Sequence, residues 1–205
     1  MTADDLLRAL AERATHLPTP PGGGVYHHVH SRGRYTRTAF HIDGRRLWSS
    51  VEERERRQWI APDGSGRLLV TRGGEEVLPT GDYPPGGLSA EFLTATDPAV
   101  LAAAIRDRNP KGTTAGAITA FVRTWNTQVV TAEVQRALLL DLAAHPDLTL
   151  EGPVTDHAGR PALAVSHAEG GGLVFDEETG ALLGAQRGSS VTAWLSSSHA
   201  ASPAA

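Results

Sequence analysis

Two groups of strand-like segments, each punctuated by tight-turn signals, are separated by the helical pattern of residues 97–146. Strands gathered apart from helices argue for an α+β fold built on antiparallel sheet, because alternating βαβ units would interleave them. Each group has short connections, and so reads as a meander.

The first group follows an amphipathic helix. Thr2 is a candidate N-cap with Asp4 and Asp5 in the first turn, and Leu6, Leu7, Leu10 and Ala14 recur at helical spacing. Pro18, Pro20 and Pro21 end that helix, and Gly22–Gly24 follow as a linker. Val25–Phe40 is expected to be a strand pair turning at Ser31-Arg32-Gly33, with a hairpin at Asp43-Gly44. Leu47–Ile60 and Arg67–Thr71 are strands around the turn Ala61–Gly66. Gly73–Gly87, rich in Gly and Pro, is expected to be a loop, long enough to serve as a lid or a mobile edge.

The central segment contains three helix starts: Asp97-Pro98, Thr113 or Thr114, and Thr131. The third helix carries an apolar stripe of Val134, Leu138, Leu139 and Leu142. The second strand group comprises Leu148–Val154, Pro161–His167, Gly172–Asp176 and Ala181–Arg187, with Val191–Leu195 as a last strand. Its turns are Asp156–Gly159, Glu169–Gly171 and Asp176–Gly180. The expected organisation is one domain over residues 1–195, comprising a meander at 24–73, a helical insert at 97–146 and a meander at 148–195. Residues 196–205, small and polar, are expected to be a flexible tail. The two meanders are expected to form one large curved sheet, a half-barrel, with helices packed on its concave face.

Composition narrows the function. The chain has 205 residues and no cysteine, which excludes disulfides and thiolate metal sites. Its net charge of −4 is no basic footprint for nucleic acid. Glu52, Glu53 and Glu55 alternate with arginines, as in ion-pair ladders across strands. No apolar run reaches the ~18 residues of a membrane span. Membrane association is therefore expected only through a segment absent from this chain. There is no G-x-S-x-G and no phosphate loop, so no catalytic residue and no cofactor is assigned, and a non-enzyme is expected.

Three groups of residues carry a resemblance. They are Gly24-Val25-Tyr26 after the proline-rich linker, Arg57–Arg67 (R-Q-W-I-A-P-D-G-S-G-R), and Gly159–Val165 with Leu173–Asp176 and Glu178–Gly184. Together they resemble an actinobacterial envelope-protein family, often membrane-anchored and encoded near sigma factors. The layout is in turn similar to the half-barrels of envelope lipoprotein carriers and of regulators of anti-sigma factors. The resemblance implies an extracytoplasmic domain, or a cytoplasmic one if Met1 is the native start. It also implies a concave sheet that binds a lipid-like or other hydrophobic ligand, or a signalling protein.

The residues expected to face that groove are Tyr26, His28, His30, Trp48 and Trp59. Trp125 and Trp194 complete the large apolar side chains, as pocket walls or as core. His28 and His30 share a strand face, and with His41 they form an alternative metal site. A polar face held by packing and hydrogen bonds, or a pH sensor, would use the same histidines. A third alternative is a structural module that dimerises through an edge strand. Residue types alone do not set the oligomeric state.

Overall fold

The first and last strands of the chain lie side by side. In the computed structural model, which describes residues 1–169 and 171–203, β1 (Tyr26–Phe40) pairs antiparallel with β10 (Ser190–Ala200). On one side of this seam the first meander continues through β2 (Arg46–Ile60) and β3 (Gly66–Arg72) to β4 (Glu75–Glu76). On the other side run β9 (Leu182–Arg187), β8 (Gly171–Phe175), β7 (Pro161–His167) and β6 (Leu148–Thr155). β5 (Gly81–Tyr83) also pairs with β3. The edges β4 and β6 do not meet, so the ten-stranded antiparallel sheet is an open half-barrel.

Helices α1 (Ala3–Ala14), α2 (Pro98–Arg108), α3 (Thr114–Thr127) and α4 (Ala132–Ala143) cover one face of the sheet. Each begins at a capping side chain. The Thr2 hydroxyl accepts from the Asp5 amide at 3.1 Å while the Asp5 carboxylate accepts from the Thr2 amide at 2.8 Å, a reciprocal capping box. Asp97, Thr113 and Thr131 cap the other three. Leu6, Leu7 and Leu10 of α1 and Leu138, Leu139 and Leu142 of α4 are buried with Val165, Leu173 and Phe175 of the sheet. Each such leucine contributes roughly 1.5–3 kcal/mol by leaving water. Phe121 of α3 meets Phe175 edge to face, with ring centres 5.7 Å apart.

The hairpins share one device. In the turns His41–Arg45, Ala61–Ser65 and Asp156–Arg160, the first amide donates to the carbonyl four residues on, at 2.7, 2.9 and 2.9 Å. The fourth residue is in each case a glycine with φ between +76° and +85° (Gly44, Gly64, Gly159). That left-handed conformation suits glycine and closes a hairpin with a bulge. Asp43, Asp63 and Asp156 fasten these turns by accepting from backbone amides two residues on. Asp176 does the same for the β8–β9 turn, through the Thr179 amide and hydroxyl, both at 2.7 Å. The turn residues among those that carry the family resemblance, Ala61–Ser65, Gly159-Arg160 and Asp176 with Glu178–Ala181, therefore encode the meanders and not a reaction.

Three expectations are corrected. Val25–Phe40 is not a strand pair. β1 runs unbroken from Tyr26 to Phe40, with Ser31, Arg32 and Gly33 paired to Arg56, Glu55 and Arg54 of β2. Gly33 is not in a turn conformation. Its bare Cα makes room for the Tyr35 ring two residues on, since a Cβ there would come within 2.5 Å of the Tyr35 hydroxyl oxygen. The expected tail at 196–205 begins too early, because Ser196–Ala200 belong to β10 and pair with His30–Tyr26. The linker glycines secure that end: Gly22 bridges to His199, whose amide donates to the Pro21 carbonyl at 2.9 Å. The expected loop Gly73–Gly87 contains β4 and β5, and the Thr80 hydroxyl both accepts from and donates to the Val70 backbone. Gly170 of the expected Glu169–Gly171 turn and residues 204–205 of the expected tail lie outside the described residues.

Candidate functional site: a cavity between α3 and the sheet

Helix α3 bridges the sheet like a beam held at both ends. At its C-terminal end, Gln58 of β2 donates to the Asn126 carbonyl, and the Trp194 indole N–H of β10 donates to Asn126 Oδ1 at 3.2 Å. At its N-terminal end the Thr114 hydroxyl donates to Asp147, whose carboxylate also holds His167 of β7 at 3.1 Å. Between these anchors helix and sheet do not close up. They enclose a cavity of about 670 Å³, within the roughly 300–1,000 Å³ typical of sites that enclose small ligands.

Ile118, Thr119 and Val122 of α3 form its roof. Its floor is Gln58 and Ile60 of β2, Tyr35 of β1, Thr192 of β10, Ala185 of β9 and Gly171 of β8. Leu88 closes one side, held by its amide on the Gly64 carbonyl at 2.8 Å. Gln128 keeps the following segment in place: its Oε1 accepts from the Leu93 amide at 2.7 Å and its Nε2 donates to the Leu93 carbonyl at 3.0 Å.

The charged groups of the lining are mostly basic. Arg56, Arg123 and Arg187 face the cavity with one carboxylate, Glu169. Arg123 is held at 2.8 Å by Glu91. Arg56 and Arg187 have no ion pair among the described residues. Arg56 is open to the cavity's solvent yet walled by protein. Burial lowers its guanidinium pKa, and Tyr35 and Tyr83 partly offset this. An arginine starts so high that it stays charged. The cavity thus combines an apolar middle with unpaired positive charge.

The expected groove residues lie elsewhere. Side chains alternate along a strand, and on β1 the helix-facing set is His27, Val29, Ser31, Gly33 and Tyr35. Tyr26, His28 and His30 point to the opposite face. There His28 stacks on Trp59 at 4.7 Å, and His30 holds Glu55 at 2.7 Å. Trp48 stands half-exposed near the tip of the β1–β2 hairpin. None of the five lines the cavity. Trp194 is buried core and Trp125 packs against it. On β2 it is Arg56, Gln58 and Ile60 that face the helices, a set that reads in sequence as a solvent face.

The metal alternative does not assemble. His41 pairs with Asp43 in the hairpin turn, eleven strand positions from His30 and so roughly 35 Å away. No group of three potential ligands converges among the described residues. The histidine with the strongest environment is His27. Burial, with a contribution from neighbouring His199, lowers its pKa to about 4. Its Nδ1 accepts from the Val129 amide at 3.0 Å, and its ring packs on Phe92 at 4.2 Å.

The fold is similar to that in a crystal structure of MucB. That likeness has 17% sequence identity and a TM-score of 0.33, and it covers 98% of this chain. The chain spans 60% of the MucB chain. No family model matches the sequence, and no curated protein matches it. The actinobacterial family therefore remains a resemblance of motifs. No helix among the described residues is long and apolar enough to cross a membrane.

Proposed function

We propose that this chain is a non-enzymatic binding domain that holds an amphiphile, with an apolar body and an anionic head, in the cavity between α3 and the sheet. The observation that carries this reading is the cavity itself: Ile60, Leu88, Ile118 and Val122 around the middle, with unpaired Arg56 and Arg187 in the lining. Apolar walls take up an acyl-like body through the hydrophobic effect. A guanidinium gives an anionic head a bidentate partner. Among the described residues, the aliphatic hydroxyls of the lining, Ser89, Thr119, Thr127, Ser190 and Thr192, have no hydrogen-bonded base that would activate them for nucleophilic attack. The proposed setting is the extracytoplasmic face of the envelope, as the resemblance of motifs implies.

Native mass spectrometry of the purified protein tests the reading. A co-purifying lipid-like ligand, displaced by a long-chain fatty acid, is expected. An empty protein that takes up no fatty acid would overturn it.

A second reading, a protein partner, is favoured by the opposite face. His28 Nε2 is buried without a hydrogen-bond partner among the described residues, beside Trp59. A partner segment that displaced the groups covering this atom and supplied a polar atom there would satisfy it. Chemical-shift mapping with a candidate signalling protein would place the contact on His28, His30 and Trp59, or exclude it.

A further inference from the structure

The β1–β2 hairpin outgrows its sheet. Pairing of β1 with β10 ends at Arg34, and pairing of β2 with β3 ends at Glu55. Residues 35–52 pair only with each other, as a two-stranded arm reaching roughly 20 Å beyond the last shared pair. A two-stranded ribbon is marginal in water. This one nevertheless exposes Phe40, Ile42, Leu47, Trp48 and Val51, five of the nine exposed large apolar side chains among the described residues. Ile42, at the turn, is 99% exposed.

We infer that the tip of this arm is a membrane-docking element that inserts into the interface of an anionic bilayer. Two observations select that occupant, and neither depends on the cavity. The first is the arrangement of the apolar groups. Trp48 shares a ribbon face with its partner Ala39, Phe40 shares the other face with Arg46, Leu47 sits in the bulge between, and Ile42 caps the end. A tip that is apolar on both faces and at its end suits an apolar medium that surrounds it, not one flat protein surface. The other four exposed large apolar side chains, Met1, Val25, Leu78 and Val100, are scattered over separate elements. Apart from its own tip, a second copy of the chain therefore offers the tip no apolar patch among the described residues.

The second observation is charge. From Tyr35 to Glu52 the arm carries Arg37, Arg45 and Arg46 against Asp43 and Glu52, an excess of one positive charge on a chain of net charge −4. Arg46, beside Leu47, has no ion pair among the described residues. Aromatic and arginine side chains flanking an apolar tip are the chemistry of the lipid interface, and juxtamembrane cations favour anionic lipid. This gives the chain a membrane contact of its own, where the sequence led us to expect none.

Co-sedimentation tests this with phosphatidylcholine vesicles and with vesicles that also contain phosphatidylglycerol. The anionic vesicles are expected to pellet the protein, less so as salt is raised. Ile42→Asp should weaken that binding about tenfold or more, with an unchanged circular dichroism melt. Arg46→Gln should weaken it about fivefold. Quenching of tryptophan fluorescence by brominated lipid should be lost in Trp48→Phe. Wild-type protein left in the supernatant with both vesicles would overturn the inference. So would equal binding to the two vesicle types, unaltered binding of Ile42→Asp, or a stable dimer in which the tip is protected and vesicles are ignored. An empty cavity in the native spectra would not bear on any of these outcomes.

Discussion

Trp194 donates its indole N–H to Asn126 Oδ1 at 3.2 Å, and this bond joins the last turn of α3 to the strand that closes the two halves of the sheet. Asn126 serves two strands at once, because its carbonyl also receives the Gln58 amide. Asn126→Ala leaves the buried indole without a partner, which costs about 1–3 kcal/mol. The expected result is a lower denaturant midpoint with an unchanged m-value. Ligand affinity should fall as well, because this anchor sets the height of the roof over the cavity.

Gln128 and Leu93 form the second clamp. Gln128→Leu keeps much of the volume but strands the Leu93 amide and carbonyl, both held by this one buried side chain. A loss of about 2–4 kcal/mol is expected from urea unfolding. Hydrogen exchange should accelerate at the Leu93 amide before it does in the sheet.

Acid should destabilise the fold through His27. Its pKa in the folded protein is about 4, against 6.5 for the unperturbed side chain. Between those values the unfolded chain binds the proton and the folded one does not, so stability falls as pH drops from about 6.5 towards 4. The full shift corresponds to at most about 3 kcal/mol. Protonation also removes the acceptor for the Val129 amide. His27→Gln retains an amide acceptor but cannot titrate, so thermal melts should show a flatter pH dependence in that window. An equally steep dependence in the variant would assign the effect to other groups.

Asp156 works in the same sense, through a carboxylate instead of an imidazole. Burial raises its pKa, but the hydrogen bonds from the Arg160 guanidinium and amide outweigh that and hold it below the ordinary carboxylate value. Its stabilising contribution is present above the unfolded pKa and is lost as acid protonates the folded carboxylate. Asp156→Asn should lower stability at neutral pH and narrow the difference from wild type at strongly acidic pH, read by denaturant titration at both.

The sequence was most informative where structure is local. Thr2, Asp97, Thr113 and Thr131 cap the helices as their spacing suggests, and the Val134–Leu142 stripe is buried. The hairpin turns at Asp43, Asp63, Asp156 and Asp176 were also readable, because their chemistry lies within a few residues. Long-range pairing was not: Ser196–Ala200 has no apolar signal and becomes a strand through backbone bonds to β1. Strand parity was read the wrong way round at Tyr26, His28, His30 and Trp59, while Trp48 lies too far out on the hairpin to reach the cavity. Apolar content marked Trp59 as inward, yet Gln58 and Arg56 face the helices, one satisfied by the Asn126 carbonyl and the other by the open cavity. A cavity keeps polar side chains solvated on the covered face, so the rule that apolar residues point inward fails at such a site. The signal that was available is Arg56-x-Gln58-x-Ile60, an alternation ending on an apolar residue.

The most direct test of a ligand-holding cavity is equilibrium binding of a fluorescent long-chain fatty acid to three proteins: wild type, Ala185→Trp and Arg56→Gln. Ala185 lies on the cavity floor, where an indole would fill the space beneath Ile118 and Val122. Saturable one-to-one binding is expected for wild type and little or none for Ala185→Trp. Arg56→Gln should bind about tenfold more weakly, with no matching loss for the uncharged alcohol of the same chain length. Wild-type binding that survives Ala185→Trp unchanged, in a protein whose melting temperature shows it is folded, would contradict the account.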